Sequence, residues 1–249
     1  MKTLAVYLTA GYPDTGTFLK AASVAADDGV DLFVVGLPFS DPIADGPVIQ
    51  KTSEEAIRRG MNYERMLDLA DRCPPNLARV LMTYSNPLFV RGWSRAFDEI
   101  SRCGFSGCVL PDVPADELMS LLPFRPPRPF YLVPFVAPTT SAGRLAAVAS
   151  AARDGAFIFL VSLRGITGSR LRDRSMNEID KLARSIRRLS HASIYAGFGV
   201  RTGADAARLS RFTDGVIVGT AALQALRRSM PAYARLLRQL RRSLDRVSP

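Results

Sequence analysis

Eight short apolar runs, each closed by a polar turn and followed by helical periodicity, constrain this chain more than any single residue. They are Leu4 to Thr9, the run opening Asp31-Leu32-Phe33-Val34-Val35, Ala78 to Thr83, Gly107 to Leu110, Phe130 to Val136, Phe157 to Ser162, Ser193 to Tyr195 and Gly215 to Val218. Runs of this length bounded by Gly, Pro, Asn and Asp read as buried strands, being too short for helices. Between them lie helical segments over about Thr15 to Asp28, Val48 to Arg59, Tyr63 to Arg72, Gly92 to Cys103, Asp116 to Leu122, Ser141 to Ala152 and Asn177 to Ser190. Pro47 suits a first helical turn, and Thr202 with Asp205 has the spacing of a capping box. Strand and helix alternating eight times, with connections short enough for right-handed crossovers, predict an α/β protein. The architecture is a (β/α)₈ TIM barrel over residues 1–249 as one domain, and its reactive face is the ring of loops after the strands.

The 249 residues would also accommodate two small domains, but no Gly/Ser tract, low-complexity block or long like-charge run divides them. No apolar stretch approaches the ~18 residues of a membrane span, and Met1-Lys2 leads directly into a strand without a secretory pattern, so a soluble, cytoplasmic protein is expected. Cys73, Cys103 and Cys108 form no metal spacing with His191, the only histidine. The net charge of +10 raises the possibility of a nucleic-acid partner. Against it, the basic residues are dispersed. Their one concentration, Arg227 to Arg246, carries a stripe of Leu236, Leu237, Leu240 and Leu244, the pattern of a terminal helix with a solvated basic face.

A polar, Gly/Pro-punctuated loop follows the second strand, Gly36-Leu37-Pro38-Phe39-Ser40-Asp41-Pro42-Ile43-Ala44-Asp45-Gly46-Pro47. Pro38 and Pro42 fix φ, and Asp41 shapes the turn. Asp45 just past a strand end is either a catalytic base or electrostatic partner, or a turn residue satisfying its own backbone. Asp112, after the fourth strand, has the same ambiguity and is a candidate for orienting loops. Gly197-Phe198-Gly199 and Gly219-Thr220 end the seventh and eighth strands before helices, where barrels of this kind bind phosphate through backbone N–H groups and helix N-termini. Thr220 offers a hydroxyl and Gly168 a further N–H, while the plainer reading is a pair of ordinary turns needing positive φ. Tyr7 and Phe159, on the first and sixth strands, are candidate lining residues of the same site. Trp93, Phe198 and Phe39 are candidates for an apolar lining or for core. His191, between a helix and a strand, falls on the opposite face and is a poor catalytic candidate.

Thr9-Ala10-Gly11-Tyr12-Pro13-Asp14, the Gly36 to Gln50 stretch, Met82-Thr83-Tyr84-Ser85-Asn86-Pro87, Pro111-Asp112-Val113-Pro114, Gly165-Ile166-Thr167-Gly168 and Gly197-Phe198-Gly199 together resemble the tryptophan synthase α subunit across nearly the whole chain. The short helix that normally precedes the first strand is missing from the pattern. The resemblance implies retro-aldol cleavage of indole-3-glycerol phosphate to indole and glyceraldehyde 3-phosphate. It also implies no cofactor in this chain, and a pyridoxal-phosphate β subunit as partner in an α2β2 heterotetramer, with Pro38, Asp41, Tyr84 and Asn86 on partner-facing loops. The family uses a glutamate to deliver a proton to indole C3 and an aspartate to balance positive charge on the indole nitrogen. Asp45 matches the aspartate.

The glutamate belongs two residues before the glycine of the second strand, and that position is Val34. Strand alternation places Leu32, Val34 and Gly36 on one face, expected to be the barrel interior. Valine there carries no proton, and general acid–base catalysis contributes about 10²–10⁴-fold. Phe159 stands where the family often has tyrosine, and Leu163 where it often has arginine. The resemblance therefore implies a homologue that cleaves poorly or not at all and acts mainly by binding and activating the β subunit. Alternatives are a working lyase using Asp45, Asp112 or water as proton source, and a basic nucleic-acid-binding barrel.

Overall fold

The computed structural model describes residues 1–125, 130–152, 156–161, 173–197 and 199–247. In chain order the elements are β1 (Thr3–Thr9), α1 (Thr15–Asp27), β2 (Leu32–Gly36), α2 (Pro47–Arg58), α3 (Tyr63–Asp71), β3 (Arg79–Met82), α4 (Ser85–Arg91), α5 (Trp93–Arg102), β4 (Phe105–Val109) and α6 (Ala115–Leu121). There follow β5 (Tyr131–Val133), β6 (Phe135–Val136), α7 (Ala142–Ala151), β7 (Ile158–Val161), α8 (Asp173–Arg187), β8 (Ile194–Gly197), α9 (Gly203–Leu209), β9 (Gly215–Val218), α10 (Thr220–Arg228) and α11 (Met230–Asp245).

Every strand pairing is parallel, in the order β5-β4-β3-β2-β1-β9-β8-β7-β6. The two outermost strands are consecutive in sequence and separated only by Pro134, which has no N–H to give a ladder. Its carbonyl still accepts the Phe159 N–H at 2.9 Å. The single fifth strand expected over Phe130 to Val136 is therefore two half-strands, one bonded to β4 and the other to β7. The chain itself closes the nearly complete TIM barrel.

The register fixes which side chains face inward. Tyr7 pairs with Val34 and Val34 with Val80, while Thr9 pairs with Gly36 and Gly36 with Met82. Leu32, Val34 and Gly36 thus share one face with Tyr7. Aromatic rings fill this space where the neighbouring strand offers glycine. A Cβ at Gly36 would overlap the Tyr7 ring, one at Gly107 the Tyr131 ring, and one at Gly197 the Phe159 ring. Alternating large and small residues around a barrel is what its narrow interior requires.

The helices follow local signals closely. Asp14 caps α1 by accepting the Thr17 N–H at 2.8 Å. Pro47 stands in the first turn of α2, and Thr202 and Asp205 form the capping box of α9. α8 starts at Asp173, before the expected Asn177. α4 occupies a segment read as a turn. On α11, Tyr233, Leu237, Leu240 and Leu244 are buried, with Leu236 at the margin. The basic face of α11 is only partly solvated. Arg241 pairs with Asp31 at 2.9 Å and Arg238 with Asp28 at 3.2 Å, fastening the terminal helix beneath β2 and α1. Among the described residues no helix is long and apolar enough to cross a membrane.

Candidate functional site

The loop after β2 is folded by its own polar groups. The Asp45 N–H donates to the Pro42 carbonyl at 3.2 Å, and the Gln50 side chain donates to the Asp45 carbonyl at 2.8 Å. Tyr84, just past β3, stacks on Phe39 with ring centroids 5.1 Å apart. Its hydroxyl accepts the Ala44 N–H at 3.0 Å and donates to Asp45 Oδ2 at 3.1 Å. Burial pushes the Asp45 carboxyl up to about 6, against the opposing effect of the Tyr84 hydrogen bond. A carboxylate so placed exchanges its proton near neutrality and balances positive charge arising on a ligand beside it.

Asp45 faces a cleft at the C-terminal ends of the strands, lined also by Tyr7, Ile49, Phe159, Gly199 and Thr220. Met82, Gly197, Val200, Arg201, Ile217 and Gly219 complete the wall. Gly199 has φ of 78°, a conformation that favours glycine and exposes backbone to the cleft. The Thr220 hydroxyl oxygen is buried without a hydrogen-bond partner among the described residues, and no side chain caps the N-terminus of α10. Unsatisfied N–H groups and an unused hydroxyl suit an anion. The two glycine turns differ in this respect, because α9 is closed by its own capping box and only α10 presents an uncapped end. Gly165, Ile166, Thr167, Gly168, Leu163 and Phe198, and the connector Pro126 to Pro129, lie outside the described residues.

Val34 is 1% exposed and faces the interior beside Tyr7, which is 5% exposed. Phe159 packs on Phe135 with centroids 4.5 Å apart. Among the described residues of the cleft wall, Asp45 is the sole carboxylate. Asp112 is committed elsewhere. Its two oxygens accept the Ser85 N–H at 3.0 and 2.9 Å and the Ser85 hydroxyl at 2.6 Å, so it caps α4. Asp112 thus orients the start of α4 and stands outside the cleft wall.

The four loop residues associated with a partner divide. Asp41 and Asn86 are exposed, whereas Pro38 is buried at the strand end and Tyr84 is only 4% exposed, turned inward by Phe39 and Asp45. Apolar side chains missed in the sequence reading lie in the same loop region. Ile43, Phe89 and Val90 are 83%, 67% and 78% exposed. Trp93 packs on Phe97 and Phe89, away from the cleft. His191 is exposed between α8 and β8, at the opposite end of the strands. Of the cleft residues missed, Met82 and Ile217 were available from strand alternation and Ile49 from the inward face of α2. Arg201 had no local signal.

A nearly closed parallel barrel with a carboxylate and an anion-suited helix end converging at the C-terminal ends of its strands defines a (β/α)₈ barrel with its cleft on the reactive face. The family model for the tryptophan synthase alpha chain matches residues 1–246, and the chain belongs to that family. The alpha chain of Synechococcus elongatus is 38% identical over 245 residues, covering 96% of this chain and 90% of that one. That of Dehalococcoides mccartyi is 33% identical over 248 residues, covering 98% and 96%. Among solved structures, tryptophan synthase from M. tuberculosis superposes with a TM-score of 0.87 at 29% identity, covering 98% of this chain and 92% of that one. The alpha subunit from Legionella pneumophila gives 0.85 at 26%, covering 98% and 93%. The family is a lyase of tryptophan biosynthesis whose alpha chains partner a beta subunit.

Proposed function

We propose that this alpha-chain homologue has lost or strongly reduced cleavage of indole-3-glycerol phosphate and acts mainly by binding and activating the tryptophan synthase β subunit, which carries the pyridoxal phosphate. The observation that carries the reading is Val34, a buried interior valine where the family places its proton-carrying glutamate, with Asp45 as the only carboxylate among the described residues of the cleft wall. The half of the site that holds a ligand is the half that persists. Asp45 accepts the indole N–H, and the Gly199 turn, Gly219 and Thr220 hold the phosphate, a role the resemblance extends to Gly168 and Phe198. The exposed Ile43, Phe89 and Val90, together with Asp41 and Asn86, support an α2β2 assembly through the loops after β2 and β3.

Steady-state indole release by the chain alone and with a β subunit tests this, alongside the rate of tryptophan formation from added indole. The reading expects little indole release and an accelerated β reaction, and turnover at ordinary family rates refutes it. One observation favours a second reading, a working lyase. With its carboxyl at about 6, Asp45 exchanges a proton near neutral pH and in this reading carries it in place of the missing glutamate. It requires cleavage by the parent protein that Asp45→Asn abolishes.

A further inference from the structure

Resting on the reading of Val34 above, we propose that Tyr7 is a positioning residue coupled to position 34. Its phenol holds the space and the hydrogen bonding that a carboxylate there would need, so Val34→Glu alone restores little cleavage and Tyr7→Phe must accompany it.

Tyr7 and Val34 are direct partners across β1 and β2 on the interior face. The phenol leans toward the C-terminal end of β2, so that a Cβ on Gly36, the next interior position, would overlap its hydroxyl. A glutamate at position 34 has to extend the same way to reach the cleft that Tyr7 and Asp45 line. Its carboxyl group therefore arrives at the hydroxyl of Tyr7.

The proton inventory shows what happens there. The Ile49 carbonyl can only accept, so Thr52 donates its one hydroxyl proton to it at 2.8 Å. Thr9 then donates to Thr52 at 2.7 Å, which leaves the Thr9 oxygen to accept from Tyr7 at 3.4 Å. That last bond is long and readily given up. An ionised glutamate at position 34 would draw the phenol proton toward itself and be held in its ionised form. A neutral one would donate to the phenol oxygen instead of the reacting carbon. In either state the phenol competes with the substrate for the proton the reaction uses. Phenylalanine retains the ring over Gly36 and removes the competitor.

The test compares indole release from indole-3-glycerol phosphate by the full-length parent, Tyr7→Phe, Val34→Glu and the double variant, with Val34→Gln as a control of the same size that carries no acidic proton. The double variant is expected to exceed both Val34→Glu and Tyr7→Phe at least tenfold in kcat, with KM within threefold of that of Val34→Glu, and Val34→Gln to be inactive with either residue at position 7. A double variant no faster than Val34→Glu overturns the coupling, as does Val34→Gln turnover equal to that of Val34→Glu. Should Val34→Glu fail to fold, recovery of a cooperative thermal transition and turnover in the double variant supports the coupling, and an unfolded double variant overturns it. Parent turnover at ordinary family rates would refute the reading of Val34 instead, while the ratio of double to single variant still decides the coupling.

Discussion

Removing the Tyr84 hydroxyl should raise the proton affinity of Asp45. Burial lifts this carboxyl to about 6, and the Tyr84 hydroxyl, donating to Oδ2 at 3.1 Å, is the group that opposes the rise. A hydrogen bond to a charged group contributes about 1.5–3 kcal/mol, and a tenfold change in proton affinity corresponds to about 1.4 kcal/mol. Tyr84→Phe should therefore move the midpoint up by roughly 1 to 2 pH units, toward the lower figure because Asp45 faces the cleft rather than a sealed interior. Carboxyl titration by ¹³C NMR measures it, with Asp45→Asn identifying the resonance. Stability carries the same sign. The folded chain keeps this proton to about pH 6 whereas the unfolded chain releases it near 3.8, so stability falls as pH rises through that window. The fall is up to about 3 kcal/mol for a fully enclosed group and less here. Asp45→Asn should lack that decline and Tyr84→Phe should extend it to higher pH. An unchanged or lowered Asp45 midpoint in Tyr84→Phe would refute the assignment of Tyr84 as the group holding the carboxylate in its charged form.

Two further substitutions probe the rest of the site. Thr220→Val deletes a buried hydroxyl without a partner among the described residues, so it should leave thermal stability level or slightly higher while weakening inorganic phosphate binding by about tenfold or more. Calorimetric titration with equal affinity in both proteins would remove Thr220 from the anion site. Asp112→Ala strips the N-terminal cap from α4 and should cost about 1–2 kcal/mol in urea unfolding, with Asp45 titrating as before. A shift in the Asp45 midpoint would contradict the separation of the two carboxylates.

The barrel was legible because its signals are local. Short apolar runs closed by Gly, Pro and Asp name the strands, and the Pro47 and Thr202 signals name helix starts within a residue or two. What escaped depends on distant partners. α4 lacks a cap of its own, since Asp112, 27 residues further along, supplies it. The division of the fifth strand follows from Pro134 facing a different neighbour on each side, which a linear reading cannot see. Asp45 was recognisable as a carboxylate after a strand, but its pairing with Tyr84 spans 39 residues. Tyr84 accordingly read as a surface loop residue. Arg201 joins the cleft wall only because the Gly199 turn aims the chain there.

The break at Pro134 gives the molecule a two-part construction. β1 to β5 form one continuous half-ring and β6 to β9 the other, joined by the β1–β9 ladder on one side and, on the other, by the chain through Pro134, the packing of α6 on α7 and the contact of Tyr131 with Phe157. Tyr7, Asp45, Ile49 and Met82 belong to the first half, while Phe159, Gly199 and Thr220 belong to the second. A ligand held at both Asp45 and Thr220 would bridge the two halves, and its binding would stabilise the intact ring in proportion to its affinity and concentration.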